Sequence, residues 1–147
     1  MKLSEPTKVE GCKCKPISMI NLADTVKTAE EMYEFMIHNN GAGLAAPQIG
    51  IFRTFFIMKD FQGAKYQLII NPEIHKASDK LGSYKEGCLT YPKEYVTVKR
   101  PKQIRASWTN YDGTRVYRKL TGQESQIFQH ESDHLVGLTI MKKEGVG

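Results

Sequence analysis

The sequence predicts an α+β domain built on mostly antiparallel sheets. Over residues 21–38, apolar residues recur at steps of three and four, which is typical of an amphipathic helix, and a capping-box pattern at Thr121 predicts a second helix over 121–136. Between them lie short β-branched and aromatic runs, separated by turn residues, which are typical of strands. The order of helix, many short strands and helix indicates an α+β fold. A length of 147 residues predicts a single domain over 1–147.

The first helix is predicted from a single apolar face. That face consists of Leu22, Val26, Ala29, Tyr33, Met36 and Ile37. Asn39, Asn40 and Gly41 follow and indicate the end of the helix, because Asn and Gly tolerate the left-handed backbone found there. Residues 1–20 show little periodicity, so we expect an extended or irregular segment.

The middle of the chain is predicted to form short strands. Residues 52–58 and 66–70 flank a polar segment containing Gly63, which predicts a hairpin. Asn71 and Pro72 then predict a break, with a continuation over 74–77. Further strands are predicted over 96–98, 104–109 and 115–120, the last after a turn at Asp112 and Gly113.

The second helix is the central element of the predicted fold. Thr121 and Glu124 have the spacing of a capping box at its start, and Gly137 stands where a helix C-cap belongs. We expect the sheets to pack around this helix, with the N-terminal helix as the one further helix. Residues 138–141 are predicted as a short final strand.

Composition excludes several classes of protein. No apolar run approaches the roughly 20 residues of a membrane span, and the polar N-terminus does not resemble a signal peptide. Three cysteines do not make a disulfide scaffold, so we expect a protein of the reducing cytoplasm. The net charge of +5 permits an RNA or ribosomal partner, although a solvated lysine-rich surface explains it more simply.

The second helix carries the metal-binding pattern HExxH at residues 130–134. His130 and His134 lie one turn apart on the same face, so both imidazoles can bind one ion, and Glu131 can reach a water activated by it. Two surface histidines on an amphipathic helix are the alternative interpretation. A catalytic site of this kind needs a third protein ligand.

The third ligand is expected upstream, because only 13 residues follow His134 and Glu144 is their only carboxylate. The plausible donors are Cys12, Cys14, His38, His75 and Cys88. Cys88 is the best of them, since Gly87 and Pro92 indicate a loop or bulge and a thiolate suits Fe(II) or zinc. A lone cysteine is also often a small buried hydrophobic residue.

A glycine-rich segment, GAGLAAPQIG, occupies residues 41–50. Its small residues allow a substrate backbone to approach closely, and Gln48 is its only polar side chain. A tight turn with close packing is the simpler interpretation. The segment lacks the GK[ST] sequence of a phosphate-binding loop.

Three segments together resemble the peptide deformylase family. They are GAGLAAPQIG at 41–50, EGCLTYP at 86–92 and QHESDH at 129–134, and their separations are those usual in the family. The resemblance covers roughly residues 22–142. It implies a metal-dependent hydrolase that removes the N-formyl group from the formyl-methionine of nascent polypeptides and releases formate.

The resemblance also implies roles for individual residues. Cys88, His130 and His134 would bind one divalent ion, Fe(II) first and zinc, nickel or cobalt as alternatives. Glu131 would be the general base and then the general acid, and Gln48 with the Leu89 N–H would stabilise the oxyanion. Asp133 would lie behind the ligands with Arg100 as its ionic partner. Backbone groups of the substrate-binding segments would pair with the peptide, and these segments contain Gly43, Leu44, Glu86 and Gly87.

The same resemblance sets the expected partners. Formyl-methionine nascent peptides are the expected substrate, with transient association with the ribosome, no direct readout of nucleic acid, no membrane, and a monomeric state. The chain differs from many bacterial members in having Tyr95 where an arginine is common. It also stops soon after the HExxH helix, as in the short forms carried by phages, which lack a long C-terminal helix.

Two other functions compete with this interpretation. A metal-dependent endopeptidase could use the same HExxH helix, but it would need a different third ligand and a long open cleft. A non-catalytic module binding RNA or the ribosome is the second competitor.

Overall fold

The structure, a computed structural model, describes residues 1–143. Seven strands form two antiparallel sheets, which confirms the predicted α+β class. The strands are β1 (Gly43–Ala45), β2 (Phe55–Lys59), β3 (Tyr66–Ala77), β4 (Leu81–Cys88), β5 (Tyr91–Pro101), β6 (Gln103–Thr109) and β7 (Arg115–Thr121). The larger sheet has the order β1-β2-β3-β6-β7, and β4 and β5 form a separate hairpin.

Four α-helices accompany the sheets in the described residues: α1 (Pro6–Val9), α2 (Leu22–His38), α3 (Gly122–Leu135) and α4 (Ile140–Lys143). Two short 3-10 helices span Met19–Asn21 and Ala46–Ile49. The predicted helices over 21–38 and 121–136 are confirmed within a residue at each end as α2 and α3. The expectation of an irregular segment over 1–20 is wrong at α1, where Pro6 occupies the first turn. Within residues 1–143, no helix is long and apolar enough to cross a membrane.

The two long helices cover opposite faces of the large sheet. On one face, Phe128 of α3 packs with Phe56 and Trp108. On the other, Met32 and Met36 of α2 pack with the alternate residues of β2 and β3. Helix α3 therefore lies inside the molecule, where its HExxH residues are enclosed by protein.

The hairpin of β4 and β5 was only partly predicted. β4 was missed because its side chains are mostly exposed and Glu86 is its one buried residue, so no hydrophobic alternation marks it. The segment 84–92, expected as a loop or bulge, is the tip of this hairpin, and the pairing register shifts between Gly87 and Cys88. The bulge brings Cys88 to the end of its strand, next to a two-residue turn.

Three local predictions are wrong. β3 does not break at Asn71 and Pro72, because the strand absorbs them as an irregularity in which Asn71 has a φ of 49°. The capping box does not form, because the carboxylate of Glu124 accepts from Arg118 at 2.9 Å. The final strand over 138–141 is replaced by the start of α4. A φ of 81° at Gly137 turns the chain, and Ile140 packs on the hairpin.

Candidate metal and active site

Three donor atoms converge between α3 and the hairpin. Sγ of Cys88 and one ring nitrogen each of His130 and His134 all lie within 4.8 Å of one another. Sγ of Cys88 is 3.4 Å from Nε2 of His134. The two imidazoles, four residues apart on α3, are both buried, with ring centres 5.0 Å apart.

The remaining imidazole nitrogens are held by acceptors. Nδ1 of His130 lies 2.9 Å from a carboxylate oxygen of Glu86, and Nδ1 of His134 lies 3.1 Å from the carbonyl oxygen of Leu138. A carbonyl oxygen can only accept, so Nδ1 of His134 carries a proton and Nε2 keeps its lone pair. Acceptors of this kind orient metal-binding histidines in proteins.

A buried ion-pair network lies behind the histidines. Nε and Nη2 of Arg100 donate to the two oxygens of Glu86 at 2.6 and 2.8 Å, and Nη1 donates to Asp133 at 2.9 Å. Burial alone would raise the pKa of Glu86, but hydrogen bonds from Arg100 and His130 lower it to about 2. Glu86 was expected at the substrate, yet its carboxylate is committed to this network, so only its backbone is free to meet a peptide.

Opposing influences act on the two imidazoles. Burial disfavours a charge on His130, but hydrogen bonds to Cys88 and Glu86 and the nearby Glu131 raise its pKa to about 10. Burial, together with the adjacent His130, lowers the pKa of His134. Negative groups around His130 thus favour positive charge at this point, which is what a bound cation supplies.

Glu131 is enclosed beside the donor atoms. One carboxylate oxygen lies 4.0 Å from Nε2 of His130, and the other, Oε1, is buried with no hydrogen-bond partner among the described residues. Burial is the main reason why the pKa of Glu131 is raised to about 7. A side chain at Gly43 would place its Cβ 2.6 Å from Oε2 of Glu131, so only glycine leaves room for this carboxylate.

Gln48, in the 3-10 helix Ala46–Ile49, and Leu89, in the turn of the hairpin, border the same cleft. The backbone N–H of Ala45 donates to Oε1 of Gln48 at 2.9 Å, which turns the amide nitrogen towards the hairpin. That nitrogen donates to Thr90 at 2.9 Å and lies 3.5 Å from Sγ of Cys88. Leu89 follows Cys88 in the turn, and its side chain lies over Gly41, where an added Cβ would be only 2.9 Å away.

A cleft of about 550 Å³ opens onto these groups. Among the residues that line it are Gly43, Gln48, Gly87, Leu89, Tyr95 and Glu131. β1 is an edge strand of the large sheet, paired on one side with β2, so its backbone borders the cleft. Leu44 is fully buried among the residues packed on α2, so only its backbone can contribute to binding.

The other candidate donors lie apart from this cluster. Nδ1 of His38 is 3.3 Å from the carbonyl oxygen of Glu34 on the surface of α2, and Nε2 of His75 is 2.6 Å from Oγ of Ser107. Cys14 contacts Cys12, whose thiol donates to the backbone oxygen of His134 at 3.3 Å.

The donor set fits a transition-type divalent cation. One thiolate and two imidazoles are borderline-soft ligands that suit Fe(II) or zinc better than magnesium or calcium. Three protein donors beside a cleft also match the pattern of a catalytic site, which keeps a coordination position open. Glu131, whose Oε1 has no hydrogen-bond partner among the described residues, lines the same cleft.

The family model described as polypeptide deformylase matches residues 4–144. The chain belongs to the polypeptide deformylase family. It is an enzyme of the deformylase type, which acts on the formylated N-termini of nascent polypeptides, and the family is metal-dependent.

Individual deformylases are similar over most of the chain. The peptide deformylase of Thermotoga neapolitana is 39% identical over 131 residues, covering 89% of this chain and 78% of the relative. Peptide deformylase 1 of Clostridium perfringens is 36% identical over 133 residues, and this match covers 90% of this chain and 88% of the relative.

Solved deformylase structures share the fold. The crystal structure of the Thermotoga maritima peptide deformylase superposes with a TM-score of 0.89 at 35% identity, covering 98% of each chain. The crystal structure of a probable peptide deformylase from Synechococcus phage S-SSM7 superposes with a TM-score of 0.90 at 29% identity, covering 97% of this chain and 99% of the other.

One part of the deformylase site was missed by sequence reasoning. Asp133 and Arg100 were considered as a pair, whereas the structure adds Glu86 as the group that joins Arg100 to His130. No hydrophobic alternation marked it, because Glu86 is the one buried residue of a mostly exposed strand.

Proposed function

We propose that the enzyme hydrolyses the formyl amide of N-formyl-methionine through one divalent ion held by Cys88, His130 and His134. The observation that carries the proposal is the convergence of these three donor atoms beside the buried carboxylate of Glu131. When bound, the ion supplies a Lewis acid that polarises the formyl oxygen and lowers the pKa of a water. Fe(II) is the proposed physiological ion, and zinc, nickel and cobalt suit the same donors.

Glu131 is proposed to move the proton. Its carboxylate takes a proton from the attacking water as the new C–O bond forms at the formyl carbon. It then gives that proton to the amine nitrogen as the C–N bond breaks, so the products are formate and a free N-terminus. A pKa raised by burial to about 7 supports this, because such a group can both accept and return a proton near neutral pH.

Gln48 and Leu89 are proposed to stabilise charge on the formyl oxygen. The amide nitrogen of Gln48 is already turned towards the site, because its oxygen is held by Ala45. The N–H of Leu89 lies in the turn that follows Cys88. Donors that are oriented before the reaction stabilise an oxyanion without any reorganisation.

The peptide is proposed to bind as an added strand. The free edge of β1 at Gly43 and the hairpin tip at Gly87 both border the cleft, and an extended peptide can pair with backbone groups there. Tyr95 is 65% exposed and packs against Gly87, so it forms part of the rim that contacts substrate residues beyond the formyl-methionine.

Glu131→Ala tests the proposal. With formyl-Met-Ala-Ser, the variant should retain its metal and lose nearly all turnover, because the ligands remain while the proton carrier is gone. Formate release and metal content are measured together under anaerobic conditions, with wild-type protein as the control. Cleavage of internal bonds in the unformylated peptide would instead support the endopeptidase, and full activity of the variant would exclude Glu131 as the base.

The predictions on domain extent, oligomeric state, cellular location and ribosome association are part of the same proposal. We infer a single catalytic domain over 1–147 that works as a monomer in the cytoplasm and associates transiently with the ribosome. The family's action on nascent polypeptides supports the last point, because those substrates emerge from ribosomes.

A further inference from the structure

Within residues 1–143, half of one face of the large sheet has no helix packed on it. On the β2–β3 side of this face, Ile57 and Ile70 pack under α2. Thr109 of β6 stands opposite Ile70, so the alternate residues of β6 and β7 continue the same face beyond the helix. That part of the face is open to solvent at Arg105 and Lys119, both of which are exposed.

Three cations form a row across this open face. Lys76 of β3 is the register partner of Arg105 on β6, which is the partner of Lys119 on β7. Directly paired residues point to the same side of a sheet, and neighbouring strands lie about 4.8 Å apart. The three residues line a shallow concavity of about 220 Å³. Two more lysines, Lys80 and Lys102, stand beside it where a backbone hydrogen bond of 3.0 Å joins them.

These five side chains form no ion pair with a carboxylate of residues 1–143. Other cations of the same strands are paired, since Arg118 binds Glu124 and Arg115 binds Glu73. Like charges directly opposite each other destabilise a sheet. An unpaired row therefore has an energetic cost that a polyanionic partner would remove.

An exposed aromatic pair adjoins the row. The rings of His75 and Tyr117 stack with centres 6.0 Å apart and an angle of 23°. Tyr117 is 72% exposed, and it lies two residues before Lys119 on the same strand face. Aromatic rings next to cations suit nucleic acids, because bases stack on the rings while phosphates meet the charges.

We propose that this basic face, made of Lys76, Arg105 and Lys119, binds the phosphate backbone of RNA. A membrane surface fits less well, because interfacial binding needs a broad apolar face beside the cations. β7 and β1 are opposite edges of the large sheet, so RNA bound here leaves the substrate cleft open. The proposal goes beyond deformylation, and it offers an anchor at the RNA-rich surface from which nascent chains emerge.

The test uses the full chain and a short fluorescein-labelled RNA hairpin, titrated at 50 and 200 mM KCl. The variant Lys76→Gln/Arg105→Gln/Lys119→Gln should bind at least tenfold more weakly than wild type at 50 mM. Its slope of log K against log salt should be smaller by about 2 to 3, because each lost phosphate contact contributes roughly 0.7 to 0.9.

A control variant removes the same charge elsewhere. Lys2→Gln/Lys27→Gln/Lys65→Gln replaces three exposed lysines outside the basic face and should change affinity less than threefold. Thermal unfolding checks that both variants fold, so the binding result stands even if no deformylation is detected. With formyl-Met-Ala-Ser, both should keep wild-type turnover, since none of these residues borders the cleft.

Three outcomes would overturn the proposal. Equal weakening in both triple variants would mean that net charge alone attracts RNA. Absence of measurable RNA binding by wild type at 50 mM KCl would exclude the partner. Tighter binding to vesicles of anionic phosphatidylglycerol than to RNA, lost in the basic-face variant, would assign the surface to a membrane.

Discussion

Gly43→Ala should inactivate the enzyme by displacing Glu131. The added Cβ would lie 2.6 Å from Oε2, 2.8 Å from Cγ and 2.9 Å from Cδ of that side chain, whereas ordinary contact begins at 3.4 Å. The closest atom must therefore move by about 0.8 Å (3.4 minus 2.6). Misplacing a catalytic group by about 1 Å can cost roughly 100-fold in rate, or about 2.7 kcal/mol. We expect a fall of that order in kcat.

Steady-state kinetics and metal analysis separate this effect from others. The metal content should stay at the wild-type level, because the three atoms nearest to the added Cβ all belong to Glu131. A role limited to pairing with the peptide would instead raise KM and leave kcat unchanged.

A second variant directly tests the proposed steric clash between the added Cβ and Glu131. Glu131→Asp withdraws the carboxylate by one methylene, so Gly43→Ala should cost much less in that background than in the wild type. Wild-type kcat in Gly43→Ala, or full additivity of the two changes, would refute the reasoning.

Three further predictions concern the ligands and their support. Cys88→Ser should weaken metal binding at least tenfold and shift the metal preference away from soft ions. Competition with a chelator measures both effects, and an unchanged affinity would exclude Cys88 as a ligand. Arg100→Met should lower the free energy of urea unfolding by about 3–5 kcal/mol, because Glu86 and Asp133 lose their buried cation, while Lys99→Met on the exposed side of β5 should cost under about 1 kcal/mol. The lowered pKa of Glu86 stabilises the fold above pH 4.5, and this contribution, about 3 kcal/mol, should be lost as the pH falls from 4.5 towards 2. Glu86→Gln should flatten that part of the pH profile in urea titrations, and an unchanged profile would contradict the assignment.

The site was more predictable from sequence than the elements that carry it. HExxH spacing needs only a helix, so placing two imidazoles together followed from one periodicity. Cys88 came from a local pattern of glycine and proline, and its approach to α3 depends on contacts more than 40 residues apart in sequence. The Glu86–Arg100 pair was invisible to periodicity, because buried charges on a mostly exposed strand leave no hydrophobic signal.

The wrong local predictions have a common cause. Gly137 ends α3 as predicted, but the segment after it forms α4 and packs Ile140 on the hairpin, and Asn71 does not break β3. Asn71 stays within β3 because its side chain binds the backbone of Ile17 and the hydroxyl of Thr54. Thr121 and Glu124 have the spacing of a cap, yet Arg118 on β7 takes the carboxylate. Partners distant in sequence thus outweighed the local preference in each case.

The buried position of Arg100 follows from the topology of the hairpin that carries Cys88. β4 and β5 pair only with each other among the described residues, and an isolated two-stranded hairpin is marginally stable. Its place beside α3 must therefore come from other contacts. Arg100 supplies part of them, since it reaches from β5 to Asp133 on α3 while it holds Glu86 against His130. This link helps to hold the thiolate of the hairpin beside the two imidazoles of the helix, so Arg100→Met should reduce metal affinity as well as stability.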